Sequence, residues 1–253
     1  MIKRRPLGAT GIDFPCLSLG TVKIGRNSNV KYPYRFDLPT DMQVKALLNK
    51  CQENGINLVD TAPAYGFSES RLGDLLPGRR QDWIISTKAG ETFVGGQTRF
   101  DFSRLAIRSS IEKSLKNLQT DYLDIVLIHS NGDDLAILED SDAVLTLEEL
   151  KQEGKVRWIG MSTKTIAGGL AAISVSDILM VELNAQDQSQ LPVIEAASHQ
   201  SCGLLIKKAL SSGHADPKDN LRFVLDHRAV TSVVVGTINP QHLQDNIETA
   251  LTI

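Results

Sequence analysis

The chain has 253 residues, of which 42% are hydrophobic and 23% are charged, as in an ordinary globular protein. Its 27 basic and 30 acidic residues are mixed along the chain and give a net charge of −3, so no nucleic-acid partner is expected. The apolar runs are too short for a membrane partner, and the amino terminus lacks the apolar stretch of a signal peptide. We therefore expect one domain, residues 1–253, in the cytoplasm.

The cysteines do not indicate a special site. Cys16, Cys51 and Cys202 are odd in number, lie far apart and lack the spacing of metal ligands. We expect three small thiols in the core, with no bound metal.

The first predicted element is a β-hairpin. The runs Lys3–Leu7 and Ile12–Phe14 flank the turn residues Gly8-Ala9-Thr10-Gly11. A hairpin placed before the first long strand can close the bottom of a barrel, and we expect it there.

After the hairpin, eight strand-like runs alternate with eight amphipathic runs. The strands are predicted at Cys16–Thr21, Asn57–Thr61, Trp83–Lys88, Leu123–His129, Val156–Met161, Ile178–Leu183, Gly203–Lys207 and Ser232–Gly236. The helices are predicted at 41–54, 68–76, 103–119, 143–153, 165–173, 190–201, 217–227 and 240–250. This order predicts parallel strands with crossover helices, in an α/β fold of the (β/α)8 TIM-barrel type. An open, doubly wound sheet of eight strands is the alternative.

Local chemistry supports the predicted helix ends. Thr40 or Asp41 can cap helix 41–54, and Gly55 can end it. Pro240 stands at the start of the last helix, where its missing N–H costs nothing.

Four polar residues stand at or just after three consecutive predicted strands. Asp60 ends the second strand, Tyr65 follows five residues later, Lys88 ends the third and His129 ends the fourth. Each has an ordinary structural interpretation by itself, as a turn residue, a packing aromatic, a solvated strand end or a core histidine. In a barrel, however, these strand ends meet at one mouth, where barrel active sites lie.

Together the four residues suit the reduction of a carbonyl group. Tyrosine, with a reference pKa of about 10, is a poor acid near neutral pH, and a nearby ammonium lowers that pKa. Asp60 can hold Lys88 charged beside Tyr65. His129 can hydrogen-bond to the substrate carbonyl and orient it.

The motif Asp-Thr-Ala-x-x-Tyr-Gly at 60–66, with Lys88 and His129, resembles the catalytic tetrad of the aldo-keto reductases. Segments 7–11, 149–160 and 231–236 resemble that family as well. The resemblance implies an oxidoreductase that reduces small aldehydes or ketones with a nicotinamide cofactor. It implies Tyr65 as general acid, Asp60 and Lys88 as the pair that tunes it, and His129 as the residue that orients the substrate.

No Gly-x-Gly occurs, so a Rossmann fingerprint is absent. The resemblance implies instead a cofactor that lies extended across the barrel mouth. The implied contacts are Thr21, Ser162, Thr163, Asn184, Lys207, Lys208, Leu210, Ser212, Gly236, Thr237, Asn239, His242 and Asn246. NADP(H) is favoured over NAD(H) from the habit of the family.

The sequence departs from the family pattern at several cofactor positions. Met180 replaces a glutamine, Lys207 replaces a stacking aromatic, and Gly236 and His242 stand where many NADP-binding relatives carry lysine and arginine. These departures motivate a second hypothesis, a cofactor-binding sensor or regulatory subunit. A third is a barrel lyase that uses Lys88 as a Schiff-base amine. The oligomeric state is open, with a monomer plausible, and the segment 22–39 is either a lid or a surface loop.

Overall fold

The structure is a computed structural model that describes residues 1–253. Its strands are β1 (Arg4–Pro6), β2 (Asp13–Pro15), β3 (Leu17–Gly20), β4 (Leu58–Asp60), β5 (Ile84–Ala89), β6 (Glu91–Val94), β7 (Gln97–Phe100), β8 (Leu123–His129), β9 (Val156–Ser162), β10 (Ile178–Glu182), β11 (Gly203–Lys207) and β12 (Ser232–Val235). Its helices are α1 (Val22–Gly25), α2 (Asp41–Glu53), α3 (Ser68–Leu75), α4 (Arg104–Leu118), α5 (Asp134–Asp140), α6 (Ala143–Gln152), α7 (Ile166–Ala172), α8 (Leu191–His199), α9 (Pro217–Asp226) and α10 (Pro240–Leu251).

Eight of the strands form a closed parallel barrel in the order β3, β4, β5, β8, β9, β10, β11, β12. The barrel closes where β12 pairs with β3, with Val233 opposite Leu17. The barrel prediction is therefore confirmed and the open sheet is wrong. The predicted ends of the barrel strands and of their eight helices differ from the observed ends by at most two residues.

The amino-terminal hairpin closes the bottom of the barrel, as expected. In it β1 pairs with β2 in antiparallel fashion, with Arg5 opposite Phe14. Leu7 and Phe14 are fully buried and pack in one cluster with inward-facing barrel residues such as Ile125 and Ile178. Phe14 and Trp158 also pack edge to face, with ring centroids 5.8 Å apart.

The main core lies between the barrel and the helices, where 50 buried residues form one cluster. Helix α2 shows how the sequence directs this packing. Thr40, not Asp41, is its cap, because the Thr40 hydroxyl accepts from the Gln43 N–H and the Gln43 side chain accepts from the Thr40 N–H. Its face of Val44, Leu47, Leu48 and Cys51 is buried.

Three elements were not predicted, and all follow the carboxyl ends of barrel strands. Helix α1 follows β3, the hairpin β6–β7 follows β5, and helix α5 follows β8. They therefore belong to the mouth of the barrel rather than to its wall. None of the helices combines the length and the apolar character needed to cross a bilayer.

Candidate active site

A buried ion pair lies at the centre of the barrel mouth. Lys88 Nζ lies 2.7 Å from both carboxylate oxygens of Asp60 and donates to the Thr61 carbonyl at 2.9 Å. The side chains of Lys88 and Asp60 are only 1% and 5% exposed. Ser86 Oγ donates a further hydrogen bond to Asp60 Oδ1 at 3.0 Å. The pair is thus fixed from several sides, and breaking such a buried pair costs about 3–5 kcal/mol.

Tyr65 stands above this pair, on the short 3₁₀ turn Pro63–Tyr65. The turn is followed by Gly66, whose φ of +64° lies in the left-handed region and whose α-carbon leaves no room for a β-carbon beside the Gly25 carbonyl. Lys88 Nζ lies 4.9 Å from the centre of the Tyr65 ring. The structure therefore brings the expected acid and its expected tuning residue together.

The pKa of Tyr65 is raised in the folded protein, whereas the sequence led us to expect that Lys88 would lower it. Burial raises the pKa of Tyr65, Lys88 lowers it and Asp60 raises it, and the net direction is upward. Lys88 acts in the expected direction, but the loss of hydration outweighs it. The phenol consequently keeps its proton at neutral pH.

His129 completes the group, with its ring centroid 6.2 Å from that of Tyr65 and the ring planes at 84°. Its Nδ1 lies 2.7 Å from Glu91 Oε2. Burial lowers the pKa of His129, the Glu91 carboxylate opposes this, and Lys88 lowers it further. The imidazole is therefore neutral near pH 7.

Glu91 is a site residue that the sequence did not predict. It lies on β6, in the unpredicted hairpin β6–β7, which packs against the Tyr65 turn. A short hairpin whose residues are at most partly buried gives no strong periodic signal, and β7 is exposed throughout.

A cavity of about 480 Å³ opens at the mouth beside these residues. It is lined by the whole tetrad and by most of the residues implied as cofactor contacts. These residues are Asp60, Tyr65, Lys88, His129, Ser162, Thr163, Lys207, Lys208, Leu210, Ser212 and Gly236.

Two of the implied contacts are engaged within the protein and do not line this cavity. Thr21 is fully buried, and its hydroxyl donates to the Asp60 carbonyl at 2.8 Å and accepts from Ser68 Oγ at 2.7 Å. Asn184 Nδ2 donates to the Lys208 carbonyl, and its Oδ1 accepts from two backbone N–H groups of its own loop. Both side chains shape the mouth from behind.

The remaining implied contacts lie around the start of α10, outside the cavity lining. Asn239 caps this helix by accepting from the Gln241 N–H at 2.8 Å, and Thr237 Oγ1 accepts from the Asn239 N–H. His242 is exposed, whereas Asn246 is 4% exposed. The structure thus places them beside the mouth, next to Gly236.

Lys207 projects from the end of β11 into the same cavity. Its Nζ donates to Ser162 Oγ at 2.9 Å and to the Thr163 carbonyl at 2.7 Å. Burial, together with Lys208 and Lys88, lowers the pKa of Lys207 to about 7. A lysine that is half-neutral at physiological pH therefore stands beside the tetrad.

Besides His129 Nδ1, which lies against Glu91, two buried polar atoms in the cavity lining have no hydrogen-bond partner within the protein. They are Thr163 Oγ1 and Gln190 Oε1, on side chains of residues that are 2% and 6% exposed. Buried polar atoms are almost always paired, so these two indicate a ligand that brings hydrogen-bonding groups. The carboxamide of a nicotinamide carries both amide hydrogens and an oxygen, and this pair of atoms fits it.

Comparison with known proteins places these features in a family. A model of the Aldo/keto reductase family matches residues 17–220 of the chain. The uncharacterised oxidoreductase YqkF of Bacillus subtilis is 26% identical over 98% of this chain and 91% of its own length. The NADH-specific methylglyoxal reductase of Escherichia coli is 32% identical over 63% of this chain and 51% of its own length.

A solved structure agrees with these matches. A crystal structure from Pseudomonas aeruginosa, described as that of an aldo-keto reductase, superposes with a TM-score of 0.91. It is 46% identical and covers 98% of this chain and 95% of that chain. Similarity therefore extends over the barrel and its mouth together.

Proposed function

Because the chain belongs to the aldo/keto reductase family, we propose that it reduces aldehydes or ketones to alcohols with Tyr65 as the general acid. The observation that carries this proposal is the buried group of Tyr65, Lys88 and Asp60 in the wall of a cavity, with His129 beside it. The family uses nicotinamide cofactors, and the cavity accommodates a carbonyl compound next to that group.

In this proposal each residue has a distinct task. Tyr65 donates its proton to the carbonyl oxygen as negative charge develops there. Lys88 stabilises the tyrosinate that remains, and Asp60 holds Lys88 charged and in place. Neutral His129 hydrogen-bonds to the substrate oxygen and orients it. The nicotinamide, when bound, supplies the hydride.

The direct test is Tyr65→Phe, which keeps the ring and removes the proton. We expect kcat for aldehyde reduction to fall about a hundredfold to ten-thousandfold. Cofactor affinity, measured by fluorescence titration, should stay close to that of the wild type, because the shape of the cavity is retained. A variant with wild-type turnover would show that Tyr65 is not the acid.

We further propose that the cofactor is NADP(H) in preference to NAD(H), held by the implied residues that line the cavity and the start of α10, with Thr163 and Gln190 at its carboxamide. The start of α10 beside Gly236 supports this, because the positive end of a helix dipole favours a phosphate. The E. coli relative is NADH-specific, so the preference needs its own measurement. Titration with NADPH and with NADH decides it, and tighter binding of NADH would reverse the assignment.

A cofactor-binding sensor is the second candidate. Lys207 favours the sensor, because its Nζ donates hydrogen bonds to Ser162 Oγ and to the Thr163 carbonyl, at two positions where a catalytic cofactor would be held. Tight cofactor binding without turnover of any aldehyde would support the sensor. The lyase hypothesis has less support, because contact with Asp60 helps to raise the pKa of Lys88 despite its burial, and a Schiff-base amine must be neutral.

We propose that residues 1–253 act as one domain, as a monomer in the cytoplasm. One barrel core unites the chain, and the three buried cysteines are free thiols. Sedimentation of the purified protein tests the monomer, and a dimer at micromolar concentration would contradict it.

A further inference from the structure

The cavity beside Tyr65 carries a charge opposite to that of the molecule. Six lysines line it, but only three carboxylates do so, those of Asp60, Glu182 and Asp187. The whole chain has a net charge of −3. Charge of one sign concentrated in a cleft focuses the potential there and attracts a ligand of the other sign.

Three of the six lysines are engaged within the protein. Lys88 pairs with Asp60, Lys208 pairs with Glu182, and Lys207 donates to a hydroxyl and a carbonyl at the end of β9. The other three have no carboxylate within ion-pair distance and no hydrogen-bond acceptor. They are Lys23, Lys31 and Lys164.

Lys164 stands on a loop that is held rigidly. The backbone N–H groups of Lys164 and Thr165 both donate to Asp134 Oδ2, at 2.9 and 2.7 Å, and Asp134 is 1% exposed. Gly168 packs so closely that a β-carbon there would lie 2.0 Å from the β-carbon of Asp134. The base of the Lys164 side chain is therefore preorganised, which reduces the entropy lost when it binds a ligand.

Lys164 and Lys31 are both exposed and line the same cavity. Burial lowers the pKa of Lys164, Glu91 raises it, and Lys31 lowers it again. Glu91 is the carboxylate that most raises the pKa of Lys164, but it already contacts His129 Nδ1 at 2.7 Å. Two ammonium groups thus line one cavity without a carboxylate within ion-pair distance, and the positive charge of both would attract a ligand anion.

Lys164 follows Ser162 and Thr163, two of the expected cofactor contacts, at the end of β9. Strands β5, β8 and β9 are neighbours in the barrel, so the Glu91 hairpin, His129 and Lys164 follow adjacent strand ends. The loops at 207–213 and 236–246 follow β11 and β12, further round the barrel. Lys164 therefore follows the strand next to the one that ends in His129, and lies away from the loops expected to hold the rest of the cofactor.

We propose that Lys164 and Lys31 bind an anionic group of the substrate, so that the preferred substrates are aldehydes carrying a carboxylate or a phosphate ester. This inference rests on the reductase function proposed above. Both types of substrate carry an oxyanion a few carbon atoms away from the carbonyl group. In both, that oxyanion accepts hydrogen bonds from the two ammonium groups.

Matched pairs of substrates test the proposal. We expect kcat/KM to be about tenfold higher for 4-oxobutanoate than for butanal, and for glyceraldehyde 3-phosphate than for glyceraldehyde. Lys164→Gln should lower each ratio about three- to tenfold, and about 0.5 M salt should lower the wild-type ratio as well. The ratio cancels general effects on folding and cofactor binding. Lys116→Gln, the same change on the outer helix α4, is the matched control.

Each contrary result has a distinct meaning. If Lys164→Gln leaves both ratios unchanged, or weakens only NADPH binding, the lysines do not bind the substrate anion and the inference is wrong. If no aldehyde is reduced at all, the proposed function is wrong. Calorimetric titration of 4-oxobutanoate then decides the anion site separately: tighter binding to the wild type than to the Lys31→Gln/Lys164→Gln variant supports it, and equal binding overturns it.

Discussion

The side-chain oxygen of Gln190 has no hydrogen-bond partner within the protein. Its Oε1 is buried without a donor, although the residue is 6% exposed. Its backbone carbonyl caps α8 by accepting from Val193 and Ile194, but its side chain has no part in that cap. An unpaired buried acceptor costs about 1–3 kcal/mol. A ligand amide that donates to this oxygen would offset that cost. A binding residue thus gains its hydrogen bond from the ligand, whereas a structural residue gains it within the protein.

Gln190→Met separates these two contributions. We expect the ligand-free variant to be more stable by about 1 kcal/mol, because an unpaired oxygen is replaced by an apolar group of similar length. We expect its affinity for the nicotinamide cofactor to fall about tenfold. Urea denaturation and fluorescence titration measure the two effects.

Gln188→Met, an exposed neighbour outside the cavity, is the control and should change neither quantity. A Gln190→Met variant that is less stable and binds cofactor as tightly as the wild type would make Gln190 a structural residue.

At the scale of elements, the position of Tyr65 depends on the packing of α1 against its turn. Gly25, the last residue of α1, touches that turn so closely that a β-carbon would lie 2.1 Å from the Tyr65 carbonyl and 2.2 Å from the Ser68 N–H. Both are backbone atoms, so the contact cannot be relieved by a side-chain rotation. The turn itself must move.

Gly25→Ala should therefore displace Tyr65 without unfolding the barrel. We expect kcat to fall at least about tenfold, because small errors in the position of a catalytic group reduce rates strongly. Circular dichroism and steady-state kinetics measure the fold and the rate. Gly73→Ala creates a similar overlap, 2.3 Å from the Asn117 carbonyl on the outer helices, and should lower stability with little loss of kcat. Equal kcat losses in both variants would argue against a specific effect on Tyr65.

At the scale of the whole molecule, Lys207 makes stability depend on pH. Its pKa is about 7 in the folded protein, against an ordinary value of 10.5. Between these two pH values the unfolded chain binds one proton more than the folded chain. Raising the pH therefore favours the folded state across that window.

Lys207→Met removes this dependence. We expect the free energy of unfolding of the wild type, taken relative to the variant, to rise between about pH 7 and about pH 10. Urea denaturation at several pH values gives this difference, and the subtraction removes the titration of all other groups. Lys116→Met is the control for losing an exposed lysine. A difference that stays flat over the window would mean that Lys207 remains charged in its cavity.

The sequence predicted the barrel because its main signals are local. Apolar periodicity, the Thr40 cap and the turn glycines act within a few residues, and eight repeats of strand and helix leave few topologies. The sequence also predicted that Asp60, Tyr65, Lys88 and His129 lie close together, because a barrel brings its strand ends to one mouth.

Only the tertiary structure decided the rest of the site. Glu91 meets His129 through a hairpin that is only partly buried, and Gln190 lines the cavity from the start of α8. The pKa of Tyr65 is raised overall, because the effect of burial outweighs that of the Lys88 charge. Distances across a closed barrel and the hydration lost inside it depend on residues far apart in the chain, so sequence spacing determined which residues share the mouth, and folding determined their contacts and charges.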